Sequence, residues 1–397
     1  MISDVKAFFA NWWTSFFFKS LPISQKVIVF YSEAKASAPH LGPLIRELVS
    51  RGRSVQLLVS DPEDPLIELV DVKANIHRIG TGLARTWTFS NLEAAMLVTT
   101  TPDLEKAQLK RSKFDVFYIY AHHSMNSIHM AYRQGAFDYF DAILCTGPQQ
   151  IHEIRTNEEL QGLPRKTLVE QGYCRLDSLR INVVELSLKF PKNSKDSQIT
   201  VLVAPTWGDS SILSICGNKV IELLLAGNFN VILRPHSETL RKSPQVVRSL
   251  TEQFGRHSKF TFDTNPNSEL SMHNSDIMIS DWSGVATEYA YSFEKPVLFI
   301  DLPRKVNNPG YENLGIEPSE VSVRTEIGEI ISVKDLSRIS EIISRLVSQD
   351  SNKIEQIRES RAKRVFNIDA SAKVGTTFIE NIADMSGYRE RAEYQKS

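Results

Sequence analysis

Arg234, Pro235 and His236 close the short apolar run VIL (231–233), and Ser280 and Asp281 close IMI (277–279). Trp282-Ser283-Gly284 then opens a helical pattern. An apolar run that stops abruptly at charged or hydroxyl residues reads as a buried parallel strand delivering side chains to the carboxyl edge of a sheet. Open α/β sheets bind ligands in the crevice outside that edge. Arg offers a fork of donors matched to phosphate oxygens, His adds a proton or a charged hydrogen bond, and a helix N-terminus favours an anion. Together these types describe a phosphate site. Thr206, in the loop APTWGDSS (204–211) after another apolar run, suits a substrate-facing turn, although a plain turn would look the same. Asp281 and Ser283 also suit helix capping. Gly284 would let a phosphate approach closely, and Glu288 fits either ribose hydroxyls or the positive end of the helix dipole.

A second group follows VFYIY (116–120), where AHHSMNSIHMAY places His122, His123 and His129 within eight residues. A histidine at a strand's carboxyl end is a candidate general base. One alone is more often structural, but three together bring the catalytic reading level with the structural one. No carboxylate or cysteine joins them at metal-ligand spacing, and the chain has no DxD pair to hold a divalent ion on a nucleotide. Neither a metal nor another cofactor is expected.

These residues need sheets to carry them. Strands are expected at 27–31, 55–60, 75–80, 116–120, 142–147 and 167–173, with a helix over 41–52 and a mostly helical stretch from Leu92 to Lys110. Further strands are expected at 200–205, 230–235, 276–280 and 296–301, with helices at 220–227 and 244–254 and a helical tail from about Lys334. Two blocks of alternating strand and helix predict an α/β protein with two facing Rossmann-like parallel-sheet domains. The boundaries expected are an N-terminal helix over 1–24, a first domain over 25–188, a polar linker over 189–198 and a second domain over 199–397. The last helices could also cross back to the first domain.

At 397 residues the chain can fill two cores. Its net charge of −1 gives no basic field for nucleic acid, so any anion site must be local. Three widely spaced cysteines, Cys145, Cys174 and Cys216, suit a reducing compartment. At the N-terminus, Val5, Phe8, Phe9, Trp12, Trp13, Phe16 and Phe17 form one helical stripe, too short to span a bilayer and without signal-peptide features. Such a helix lies in a membrane interface or docks on the protein itself; with only Lys6 and Lys19 to attract anionic lipid, insertion would be mainly apolar.

APTW (204–207), ILRPH (232–236) and SDWSGVATEYA (280–290), in this order, resemble the CDP-glycerol:poly(glycerophosphate) glycerophosphotransferases over about residues 115–330. The resemblance implies a GT-B fold, a metal-free transferase and a CDP-linked donor held by the second domain. Arg234 and His236 would then lie near the pyrophosphate, with Thr206, Ser280, Ser283 and Gly284 by the donor and Glu288 or Asp281 toward the ribose. His123 is the counterpart of the family's base. The acceptor would be a cell-envelope glycan or lipid-linked hydroxyl, and the enzyme would sit peripherally on the cytoplasmic face of the cell membrane. The chain departs from the family pattern at Ser124, Gly208 and Gly284. The same clamps would suit a sugar-nucleotide glycosyltransferase or a nucleotide-sugar 2-epimerase, while a non-catalytic assembly factor could retain the fold without His123.

Overall fold

The computed structural model describes residues 2–71, 74–107, 109–190, 198–265, 269–348, 350–385 and 387–393. Side chains of residues 1–7 fall outside that description, and with them Val5 of the apolar stripe and Lys6.

The chain folds as two compact units. The first comprises 1–178, 308–316 and 364–397, and the second 179–307 and 317–363. In the first unit, seven strands form one sheet: β1 (Ile28–Ser32), β2 (Val55–Val59), β3 (Ala74–Arg78), β4 (Met96–Thr99), β5 (Phe117–Ala121), β6 (Ala142–Cys145) and β7 (Thr167–Glu170). Their order is β3-β2-β1-β4-β5-β6-β7, and neighbours pair in parallel. The second unit holds β8 (Thr200–Val203), β9 (Asn230–Leu233), β10 (Phe260–Phe262), β11 (Ile277–Ser280), β12 (Val297–Asp301) and β13 (Gly328–Ser332). Its order, β10-β9-β8-β11-β12-β13, repeats the pattern of the first sheet, again all parallel. Each sheet therefore has one point where the strand order reverses, at β1/β4 and at β8/β11. Ligands bind outside the carboxyl ends of strands at such points.

Central strands are buried along nearly their whole length, as apolar runs such as IVFY and IMI require. Helices cover the faces, so each sheet lies inside apolar clusters rather than at the surface.

Three expectations need correction. The stretch from Leu92 to Lys110 is not helical: Met96–Thr99 is β4, the strand beside β1 at the reversal point. The good helix formers in NLEAAM misdirect a reading by propensity, and a four-residue strand buried on both faces has no alternation to betray it. Strands β10 and β13 escape the pattern because both lie at sheet edges, β10 with only three residues. The tail beyond Arg364 belongs to the first unit rather than to a domain running to 397. Phe378, Ile379 and Ile382 of helix Ser371–Asp384 are buried in the core around β1 and β2. A Cβ on Gly375 would meet Leu44 Cδ2 at 2.8 Å, so a glycine there lets this helix press against helix Ala38–Ser50. Arg51 and Arg53 pair with Glu380 along the same seam. The expected linker, 189–198, lies largely outside the described residues, of which 191–197 are not part. The division between units falls earlier, within helix Cys174–Lys189.

Helix Ile2–Ser20 divides its apolar stripe. Phe18 is 2% exposed and packs on His77, while Trp12 and Phe16 lean on Trp87 with ring centroids 5.7 and 4.7 Å away. Thr88 Oγ1 donates to Ser15 Oγ at 2.8 Å. The helix is thus docked on the first unit, yet Phe8, Phe9, Trp13, Phe16 and Phe17 remain exposed, Trp13 by 78% and Phe9 by 66%. Among the described residues no helix is long and apolar enough to cross a membrane.

Candidate active site

At the β8/β11 reversal point the second unit gathers side chains from four strand ends. Asp281, directly after β11 and 1% exposed, accepts from Thr206 N–H at 2.7 Å and Ile212 N–H at 3.0 Å. Burial pushes its carboxyl up, and the backbone donors, with Lys305, pull it back. Both carboxylate oxygens are occupied in tying down the loop after β8. These contacts give Asp281 a positioning role; the resemblance offered it, or Glu288, toward the ribose. Ser280 is likewise internal, its hydroxyl donating to Ala204 O at 2.7 Å.

The loop so fixed presents Trp207. Gly208, with φ 101°, sits where L-residues rarely go, so the glycine that departs from the family pattern is required by this turn. Lys305 Nζ, from the segment after β12, lies 3.9 Å from the Trp207 ring centroid, and Lys242 Nζ lies 4.1 Å from it. Lys305 also donates to Thr206 Oγ1 at 3.1 Å. Burial pushes its ammonium down to about 8, with Asp281 opposing the shift and Lys242 reinforcing it. Sequence reading missed Lys305; its one signal is a basic pair, Arg304-Lys305, shortly after the apolar run VLFI.

His236 follows β9, its ring centroid 6.4 Å from that of Trp207. Its Nδ1 accepts from Glu238 N–H at 3.1 Å, which places the ring proton on Nε2. Burial, then Lys305, pushes the imidazole down to about 4. His236 is therefore a neutral donor through Nε2 at pH 7, not the positively charged one that its type alone allowed. Arg234 is half-buried, with Nη1 3.4 Å from Ser271 Oγ. Ser283 and Gly284 are half-buried at the start of helix Val285–Phe293, whose positive end thus lies at the strand edge. Glu288, also half-buried, falls in the first turn of that helix. Arg234, His236 and Thr206 thus share one edge with Lys305 and Trp207.

In the first unit the three histidines separate. Successive residues leaving a strand point to opposite sides. His122 turns inward among Tyr120, Tyr132 and Phe137, with neither ring nitrogen hydrogen-bonded among the described residues, and burial pushes it down to about 3. His129 is buried too, with Nε2 3.0 Å from Ile316 O and Nδ1 3.1 Å from Glu153. His123 occupies the edge. Its Nδ1 is 3.1 Å from Thr100 O and 2.9 Å from Tyr120 Oη, and its Nε2 is 3.3 Å from Tyr132 Oη. A carbonyl can only accept, so the Thr100 contact puts the proton on Nδ1 and makes Nε2 the acceptor, with the Tyr132 hydroxyl donating to it. Of the three, His123 alone combines an oriented ring with a half-buried place at the strand edge. His40, 6.1 Å from His123 by ring centroids, is pushed well down by burial, with His123 and Arg175 adding to the effect. Nothing in the local sequence marks His40, Tyr120 or Tyr132 as its neighbours.

Among the described residues no group of three or more His, Cys, Asp or Glu side chains is placed to hold a metal ion.

Comparison with solved structures gives the wall teichoic acid polymerase TagF soaked with CDPG, at 13% identity and TM-score 0.56, covering 97% of this chain and 95% of that one. The UDP-GlcNAc 2-epimerase from Neisseria meningitidis bound to UDP-GlcNAc matches at 13% identity and TM-score 0.58 over 89% and 99%. A glycosyltransferase from Rickettsia africae matches at 12% and 0.53 over 91% and 99%. At such identities the likeness is one of fold, and that fold is GT-B. No curated protein matches the chain. The family model of the CDP-Glycerol:Poly(glycerophosphate) glycerophosphotransferases matches residues 15–303, a span that holds β1 through β12 and all the strand-end residues described above except Lys305. On that match the chain belongs to the CDP-glycerol:poly(glycerophosphate) glycerophosphotransferase family and is a transferase.

Proposed function

We propose that this transferase moves a glycerol-phosphate, or a related polyol-phosphate, from a CDP-activated donor to a hydroxyl of a cell-envelope glycan or lipid-linked acceptor. The observation that carries this reading is the set of donors at the β8/β11 edge: neutral His236 with its proton on Nε2, the Lys305 ammonium beside Trp207, and Arg234. These suit the oxygens of a pyrophosphate, and the Trp207 loop is held in place by buried Asp281.

In the reaction, the acceptor oxygen attacks the donor's distal phosphorus while the bond from that phosphorus to the bridging oxygen breaks. CMP departs with the electron pair, and the acceptor's proton passes to His123 Nε2. Arg234, His236 Nε2–H and Lys305 donate to the oxygens on which charge grows. Such catalysis is mainly positioning and electrostatic stabilisation. An anion in this crevice would also raise the depressed Lys305 pKa and strengthen its charge.

The exposed face of the N-terminal helix, with Phe8, Phe9 and Trp13, supports a peripheral position on the cytoplasmic face of the cell membrane, where a lipid-linked acceptor is held. The test is to incubate the full chain with CDP-glycerol, CDP-ribitol and UDP-sugars, with and without a hydroxylated lipid-linked acceptor. Acceptor-dependent release of CMP is expected. Release of UDP, or conversion of a UDP-sugar to its epimer, would replace this reading by one of its two enzymatic rivals.

A further inference from the structure

The reversal point of the first sheet, at β1/β4, opens into a pocket of about 220 Å³ lined by Tyr31, Glu33, Arg85, Thr101, Pro102, Asp103, Ala107 and Leu109. All belong to the first unit, whereas the cationic cluster described above belongs to the second. We infer that this pocket binds a neutral, polyhydroxylated unit, the glycerol or sugar residue at the end of the acceptor; the inference rests on the proposed transferase reading.

Charge decides the class of ligand. Arg85 is 7% exposed and already donates to Glu33 at 3.1 Å and Tyr31 Oη at 3.4 Å. Asp103 adds a second carboxylate, whose Oδ1 is buried with no hydrogen-bond partner among the described residues. Two carboxylates against one guanidinium oppose a phosphate. A buried carboxylate oxygen without a donor is costly, and a ligand hydroxyl is a donor that brings no charge. An ammonium is not repelled by this balance, so ethanolamine enters the test as the rival ligand whose binding would overturn the inference. Asp103 also holds φ 61°, a conformation that L-residues rarely adopt, and its backbone N–H donates to Ala136 O at 2.9 Å.

Size agrees. The pocket lies below the range of about 300–1,000 Å³ usual for larger ligands, so it suits one small unit rather than a nucleotide. Position agrees as well. Thr101 lines the pocket, and its neighbour Thr100 supplies the carbonyl that orients His123. A hydroxylated unit seated here would be held at the same sheet edge as the base that must deprotonate it.

The test uses the full chain and saturation-transfer NMR with glycerol, ribitol and methyl glycosides, beside inorganic phosphate and ethanolamine. Two variants accompany it. Glu33→Gln/Asp103→Asn removes the charges while keeping side-chain shape, and Ala107→Phe fills the pocket without touching them. Thermal melts confirm that both variants fold. Polyol signals should appear in the wild type and fall about 10-fold or more in each variant. The acceptor KM should rise about 10–100-fold with the donor KM unchanged. Polyol signals equal in all three proteins, or wild-type binding of phosphate or ethanolamine instead, would overturn the inference. The binding arm needs no turnover, so a protein that binds polyols yet releases no CMP would sink the proposed donor and leave the pocket standing. CMP release with an unaltered acceptor KM in both variants would do the reverse.

Discussion

Replacing His122 by Met tests the separation of the histidine pair, on which the choice of base depends. His122 is buried among aromatic rings with both nitrogens unpartnered among the described residues, and burial holds it at about 3 against an ordinary value of 6.5. Between those values the unfolded chain takes up a proton that the folded chain refuses. Stability therefore rises with pH across this window, is complete above about 6.5, and is lost as pH falls toward 3. Each pH unit inside the window is worth about 1.4 kcal/mol. Going from pH 7 to pH 5 crosses about one and a half units of it, so His122 alone removes about 2 kcal/mol. For a unit of this size that is a loss of about 4–8 °C in Tm. Met has no proton to take up and packs well against aromatic rings. At pH 7 it should also relieve the unpartnered polar group, a gain of about 1–3 kcal/mol. The assay is a pair of melting curves at pH 7 and pH 5, each read as the difference between wild type and variant. The variant should lose less stability on acidification, and transfer at pH 7 should persist because Nε2 of His123 is untouched. An equal acid loss in both proteins would refute the burial argument. Abolished transfer in a well-folded His122→Met would move the base from His123 to His122.

Other outcomes follow from the same geometry. His123→Ala should lower transfer by about 10²–10⁴-fold while nucleotide affinity, measured by calorimetry, stays put, because the proposed donor residues lie in the other unit. His236→Ala and Lys305→Met should each cost about 10²–10³-fold in kcat, and Lys305→Met should also weaken nucleotide binding; wild-type rates in both would dismantle the anion site. Phe9→Ser/Trp13→Ser should abolish flotation with liposomes and leave the melting temperature unchanged, since both residues are exposed. A chain starting at Gln25 should instead lose stability as well, because it also lacks the buried Phe18 anchor; flotation undiminished by the double substitution would end the membrane reading.

The legible parts of this chain were those where burial shapes local sequence. Buried parallel strands read as apolar runs, so VIL before Arg234 and IMI before Ser280 announced both the sheet and the edge where chemistry could sit. Strand β4 was hidden by the helix formers preceding it, and β10 and β13 by their places at sheet edges. Roles set by distant partners were hidden altogether. Asp281 reads as a cap, but its carboxylate holds Thr206 and Ile212 from a loop 75 and 69 residues away in sequence. Lys305 reads as an ordinary surface lysine until the β8 loop brings Trp207 beneath it. The His122-His123 pair could not be resolved by type, since two identical side chains differ only in which side of the strand each leaves.

The two sheets share a strand order, and hence a place for a ligand, but differ in the sign of what surrounds it. Around β8 and β11 stand Arg234, Lys305 and Lys242, with Glu238 engaged by Lys242 at 2.9 Å and by Arg241 at 2.7 Å. Around β1 and β4 stand Glu33 and Asp103, with Arg85 held by Glu33. A pyrophosphate is favoured by the first set and repelled by the second, whereas an uncharged polyol gains nothing special from the first. On the proposed reading, each substrate would thus be sorted by charge before any contact specific to its shape. The sheets supply the crevices and the loops supply the sign, so the group transferred can be altered by loop residues without disturbing either core. The departures from the family pattern at Ser124, Gly208 and Gly284 all follow strand ends, where such changes would act.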